Sequence, residues 1–147
     1  MGLDAVVYRS RANLPFDADA VGAVLDASTG EYCCPDPALE PAFERRFPSH
    51  TRIAVRKRIG TISSVAELKQ DTERVLNGES VILSKVLYSG THGGDSIPMD
   101  LISKLEEELA VLRRYAEENR IDRVMQFVSD MKDLVAAARS EGNPIVF

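Results

Sequence analysis

The chain has 147 residues, 44% of them apolar and 28% charged, and 18 Lys and Arg against 23 Asp and Glu leave a net charge of −5. That is the size and composition of one ordinary globular domain, large enough to bury a core without disulfides or a structural metal. An acidic chain with no Trp and 6% aromatics lacks the basic field and the stacking surfaces on which nucleic-acid binders rely, which argues against a nucleic-acid partner.

The first residues read Leu3-Asp4-Ala5-Val6-Val7-Tyr8, a short β-rich run that predicts a strand. Asp4 interrupts the start, and no apolar run approaches the roughly 18 residues of a membrane span. Val6 stands where a myristoylation motif needs Ser or Thr. The chain therefore reads as cytoplasmic, with no membrane partner. Signals then weaken. Asp17 or Asp19 can cap a short helix through Val21, Val24 and Leu25, ended at Ser28-Thr29-Gly30. Pro35, Pro37, Pro41 and Pro48 predict loop from Tyr32 to Pro48, with at most a turn near Leu39–Phe47.

Thr51 to Ile59 alternates, with Ile53, Val55 and Ile59 on one face and Arg52, Arg56 and Arg58 on the other, the period of a half-buried strand. Ser64 and Glu67 fit a capping box. Val65, Leu68, Thr72, Val75 and Leu76 follow at helical spacing, and Asn77-Gly78 closes a helix over Ser64–Leu76. Ser80 to Tyr88 is an apolar run that predicts a central strand. A glycine-rich loop over Ser89–Ile97 leads to Pro98, suited to a helix first turn. Leu101, Ile102, Leu105, Leu109, Leu112 and Ala116 make one helical stripe. Ile121, Val124, Met125, Val128, Met131, Val135 and Ala138 make a second, with a break at Asn119. Two long helices and a short turn predict an antiparallel hairpin, with Met125 and Met131 in the core. Gly142 stops the second helix, and Pro144–Phe147 can return as an edge strand. The expected fold is a single α+β domain over 1–147: a small, mostly antiparallel sheet against the C-terminal αα-hairpin and one shorter helix.

Chemistry has few places to sit. The loop Gly90-Thr91-His92-Gly93-Gly94-Asp95 holds one of two histidines between a strand-like run and a helix, where free amides suit an anion and glycines admit close approach. It matches neither a phosphate loop nor a dinucleotide fingerprint. His92 and Asp95 can form a base–orienter pair or two metal ligands, with His50, Cys33, Cys34 and Asp100 as the further donors no spacing brings near. The plainer reading makes the glycines a turn and Asp95 or Ser96 a helix cap. Ser89 and Thr91 lie near His92 without a nucleophile elbow. Cys33-Cys34 reads as a pair of reduced thiols. No catalytic residue, metal site or cofactor is assigned.

Two charged surfaces remain. Arg45, Arg46, Arg52, Arg56, Lys57 and Arg58 form a basic stretch that reads first as a solvated strand face. Glu106, Glu107, Glu108, Glu117, Glu118 and Asp122 form an acidic helical surface, read either as solvent face or as a docking site for a basic protein.

Met1–Tyr8, the run Leu83-Ser-Lys-Val-Leu-Tyr-Ser-Gly-Thr-His-Gly-Gly-Asp95 and the closing Asn143-Pro-Ile-Val-Phe147 resemble a family of small uncharacterised bacterial cytoplasmic proteins. The resemblance leaves positions 9–48 unmatched and carries no established activity, so it implies no site residue. By analogy of size and charge, small acidic bacterial domains of this kind are often immunity proteins that block a toxin by binding it. The expected function is a non-enzymatic, immunity-type inhibitor of a protein toxin. The alternative is a small ligand- or metal-binding enzyme centred on His92 and Asp95.

Overall fold

A computed structural model describes residues 1–147. Its centre is β1, Gly2–Tyr8. Along β1 the side chains of Leu3, Ala5 and Val7 are buried at 0–1% exposure, so the alternate residues of this strand face the main core. β1 leads into an excursion containing α1 (Ala18–Val21), β2 (Val24–Leu25), β3 (Tyr32–Cys33), α2 (Glu40–Arg46) and α3 (Ser49–Arg52). The chain then returns as β4, Ile53–Thr61, antiparallel to β1.

Three expectations change in this excursion. The Asp17 carboxylate caps α1 as expected, accepting the amides of Asp19 and Ala20. The helix nevertheless stops at Val21, because Gly22 takes a left-handed φ of 70°. Val24 and Leu25 are strand residues paired with Cys33 and Tyr32. The region of prolines holds a short helix, α2, and α3 follows Pro48, taking Thr51 and Arg52 from the strand expected over Thr51–Ile59, which begins at Ile53. Pro41 occupies the first turn of α2, where its missing N–H costs nothing. Phe16, Phe43 and Phe47 pack ring to ring, with centroids 4.3–6.1 Å apart. We call residues 9–52 the cap.

α4, Ile62–Glu73, starts two residues earlier than the capping-box pattern predicts. Its cap is Thr61, whose hydroxyl accepts the Ser64 amide at 3.3 Å. The larger correction falls on Ser80–Tyr88, which is a single helical turn with a π-type segment at Ile82–Val86 and not a strand. A short apolar run is buried equally well as strand or helix, and periodicity does not separate the two. What selects the helix is a carboxylate from another element. Glu108 accepts the amides of Val81 at 2.9 Å and Ile82 at 3.0 Å, satisfying the free donors of a helix start.

The glycine-rich loop then delivers β5, Ser96–Ile97. A 3₁₀ turn at Met99–Leu101 leads into α5 (Ile102–Asn119) and α6 (Asp122–Glu141). Arg120, with φ 55°, turns the chain between them. β6, Ile145–Val146, closes a four-stranded sheet of order β4-β1-β6-β5 in which every pairing is antiparallel. β6 is thus an interior strand and not the edge expected of Pro144–Phe147, because β5 covers its free side. One contiguous cluster of 26 buried residues joins sheet, α4 and the hairpin. Met131 lies wholly inside it, and Met125 packs half-buried at its margin. The α+β class, with a small antiparallel sheet against a C-terminal helical hairpin, is as the sequence leads one to expect.

Candidate functional site

The loop from Gly90 to Asp95 is built as a fastening. Gly94 donates its amide to the Phe147 carbonyl, and Phe147 donates to the Asp95 carbonyl, both at 2.8 Å. The glycines divide the work. A Cβ on Gly90 would lie 2.8 Å from the Ile62 backbone, so the loop packs here at a separation that admits no side chain. Gly94 has φ 82°, which a side chain resists. Gly93 and Thr91 are exposed to solvent.

His92 is drawn inward, its side chain 5% exposed. Its ring stacks on Tyr88 at 4.7 Å and tilts against Phe147 at 5.0 Å. Nε2 lies 3.2 Å from the Val86 carbonyl. A carbonyl only accepts, so Nε2 carries the proton and donates. Nδ1 lies 3.3 Å from Asp95 Oδ2 but off the angle of a hydrogen bond, and it has no other partner. The same Asp95 oxygen accepts a hydrogen bond from the Tyr88 hydroxyl. His92 and Asp95 therefore do meet. Neither Asp95 nor Ser96 caps a helix, because β5 and the 3₁₀ turn intervene before α5. No three His, Cys, Asp or Glu side chains are grouped in a way that could hold a metal ion.

The acidic helical surface is divided by the fold. Glu108 is buried, 7% exposed, and does not belong to any outer surface. Glu106 is held by Arg139 across the hairpin, and Arg139 keeps its carboxyl below the usual range. Glu117 pairs with Arg113 at 2.9 Å. Glu107, Glu118 and Asp122 remain exposed.

The basic stretch is likewise dispersed. Lys57 reaches Asp133 at 2.6 Å and Asp130 at 3.6 Å on α6, and Arg58 reaches Asp4 at 3.1 Å. Arg46 lies over the Phe47 ring. Arg52, expected on a wet strand face, is 3% exposed. It donates to Glu31 at 2.9 Å, to the Tyr32 carbonyl at 3.0 Å and to Glu44, and it lies over Phe43 at 5.3 Å. One guanidinium thereby ties the β2–β3 hairpin and α2 to the start of β4, using the planar fork that lysine lacks. Beside it, burial and the Glu31 carboxylate push the Cys33 thiol up to about 11 and the Tyr8 hydroxyl up to about 12. No sequence signal separates Arg52 from its exposed neighbours, because its partners lie 8–21 positions away in the chain.

The largest concavity lies where the cap meets the rest of the molecule. It encloses about 520 Å³ between the β2–β3 turn, the β5–Met99 segment and Gly142–Pro144, a volume in the range of ligand and side-chain sites. Leu25, Pro98, Met99 and Pro144 supply apolar lining. Leu25 and Met99 are 48% and 38% exposed. Asn143 fixes the seam: its amide donates to the Tyr8 carbonyl at 2.8 Å, and its side chain fills the space a Cβ of Gly30 would need. No charged residue of either sign lines the groove. Its lining residues have carboxylates next to them in the chain: Asp26 after Leu25, Asp95 before Ser96, Asp100 after Met99 and Glu141 before Gly142. Sequence reasoning missed this groove because its three walls come from segments more than forty residues apart.

Compared with known proteins, the chain matches no family model, no curated protein and no solved structure.

Proposed function

We propose that this chain is a non-enzymatic protein-binding domain, specifically an immunity-type inhibitor that neutralises a basic protein toxin by direct contact. The observation that carries the reading is the chemistry of the groove beside the cap. It offers exposed Leu25 and Met99 and no basic lining residue, and acidic residues neighbour its lining residues in the chain. A partner that inserts an apolar side chain and surrounds it with Lys or Arg meets both requirements, burying the anchor while opposite charge steers the approach.

The alternative, a small ligand- or metal-binding enzyme at His92 and Asp95, has less support. A general base needs an accessible nitrogen within reach of its substrate. Here Nε2 is committed to a carbonyl, and Nδ1 sits in a ring stack facing a carboxylate that Tyr88 already occupies.

Coexpression and calorimetry with protein toxins encoded by adjacent genes test the proposal. Binding and neutralisation are expected, weakened at least tenfold by Leu25→Glu or Met99→Glu and reduced by salt. The reading fails if no such toxin is bound, or if both variants bind like wild type.

A further inference from the structure

Helix α5 carries a second surface that the groove does not use. Lys104, Glu107, Val111, Arg114 and Glu118 project from its outer face, all exposed. They succeed one another at steps of three and four residues, so they form one stripe along the helix, opposite the buried Leu105, Leu109, Leu112 and Ala116. Val111, 43% exposed, is the large apolar side chain at its middle.

The charges of this stripe stand apart from those beside it. On the flank towards α6, Glu106 is paired with Arg139 and Glu117 with Arg113. On the stripe, Glu107, Arg114 and Glu118 have no ion pair within the chain, and Lys104 reaches only the Glu79 carbonyl at 3.2 Å. Read along the helix, the stripe runs positive, negative, apolar, positive, negative. Turned end for end it becomes negative, positive, apolar, negative, positive. Two copies laid antiparallel about Val111 therefore place Lys104 against the partner's Glu118 and Glu107 against the partner's Arg114. The first pair is seven residues either side of Val111. The second is four on one side and three on the other, a mismatch of one residue, about 1.5 Å of helix rise. In parallel alignment every charge would meet its own sign.

We infer that the outer face of α5 is a contact surface for a second copy of this chain, in an isologous, antiparallel pairing centred on Val111. Each exposed ion pair contributes little and is screened by salt, so the association is weak and sensitive to ionic strength. It is independent of the groove and of the toxin-binding reading.

Sedimentation equilibrium of the purified chain at low ionic strength, from micromolar to millimolar concentration, tests the inference. The expected result is a weight-average mass rising from that of one chain towards twice that value, and falling back in high salt. Glu107→Arg places two arginines opposite each other and is expected to abolish the rise. Glu107→Arg combined with Arg114→Glu exchanges the two signs and is expected to restore it. A wild-type chain that stays monomeric at millimolar concentration overturns the inference. So does association that Glu107→Arg leaves unchanged, or a loss that the exchanged pair does not restore.

Discussion

The Glu108 carboxylate accepts the backbone N–H of Ile82 at 3.0 Å, with the Val81 amide held by its other oxygen at 2.9 Å. A buried acid on one helix thus starts a helical turn that lies 26 residues earlier in the chain. Glu108→Ala leaves two buried amides without acceptors and is expected to destabilise the protein by about 2–4 kcal/mol. Glu108→Gln keeps one acceptor oxygen and is expected to lose about half as much. Urea unfolding of the two variants against wild type checks the order, and equal losses would show that the carboxylate does not act as this cap.

Arg52 predicts how the cap detaches. Its removal strands Glu31 and Glu44, whose side chains are 24% and 40% exposed. Because both keep some access to water, the expected cost of Arg52→Met is about 2–4 kcal/mol, below that of breaking a fully buried pair. Arg52→Lys is expected to recover little, since one ammonium cannot bridge two carboxylates and a carbonyl at once. Limited proteolysis reads the effect locally. Cleavage between Asp26 and Glu40 is expected to accelerate in both variants while the α5–α6 hairpin remains intact.

His92 is predicted to act through its ring. His92→Phe preserves the stack between Tyr88 and Phe147 and gives up one hydrogen bond to the Val86 carbonyl, so a loss of about 1 kcal/mol is expected. His92→Ala removes the stack as well and is expected to cost about 2–3 kcal/mol. It should also speed amide exchange at Gly94 and Phe147, whose hydrogen bonds fasten the loop that carries the ring. A His92→Phe variant that unfolds while His92→Ala does not would refute this assignment.

Alkaline pH is expected to loosen the cap in a defined window. Burial first, and the Glu31 carboxylate second, raise the Cys33 thiol from 9.0 to about 11 and the Tyr8 hydroxyl from 10.0 to about 12. Both groups are neutral in their protonated form, so the native state holds its protons longer than the unfolded chain does. Their contribution is full below pH 9 and falls as pH rises, through pH 9–11 for Cys33 and pH 10–12 for Tyr8. Melting temperature against pH is therefore expected to decline from pH 9 upward. Cys33→Ala should flatten the first part of that decline and Tyr8→Phe the second.

Much of the architecture is legible along the chain, where burial imposes a period on neighbouring residues. The alternation of Leu3, Ala5 and Val7 marks β1. The stripes of α5 and α6 mark the hairpin, and from these the α+β class follows. Pattern failed at Ser80–Tyr88, where the apolar Val81, Ile82, Leu83, Val86 and Leu87 suit burial in either conformation and a carboxylate from α5 makes the choice. It failed again at Arg52, one arginine in a basic stretch, since burial depends on acceptors supplied by β3 and α2. The SGTHGGD loop divides the same way. Its glycines announce a turn, and they do allow one. That His92 enters a ring stack, that Asp95 turns towards Tyr88 and that the groove forms against the cap depend on segments distant in sequence. Local periodicity records which residues are buried. Which polar group satisfies which is settled only when the chain brings donor and acceptor together, since an unpaired polar group is costly once water is excluded.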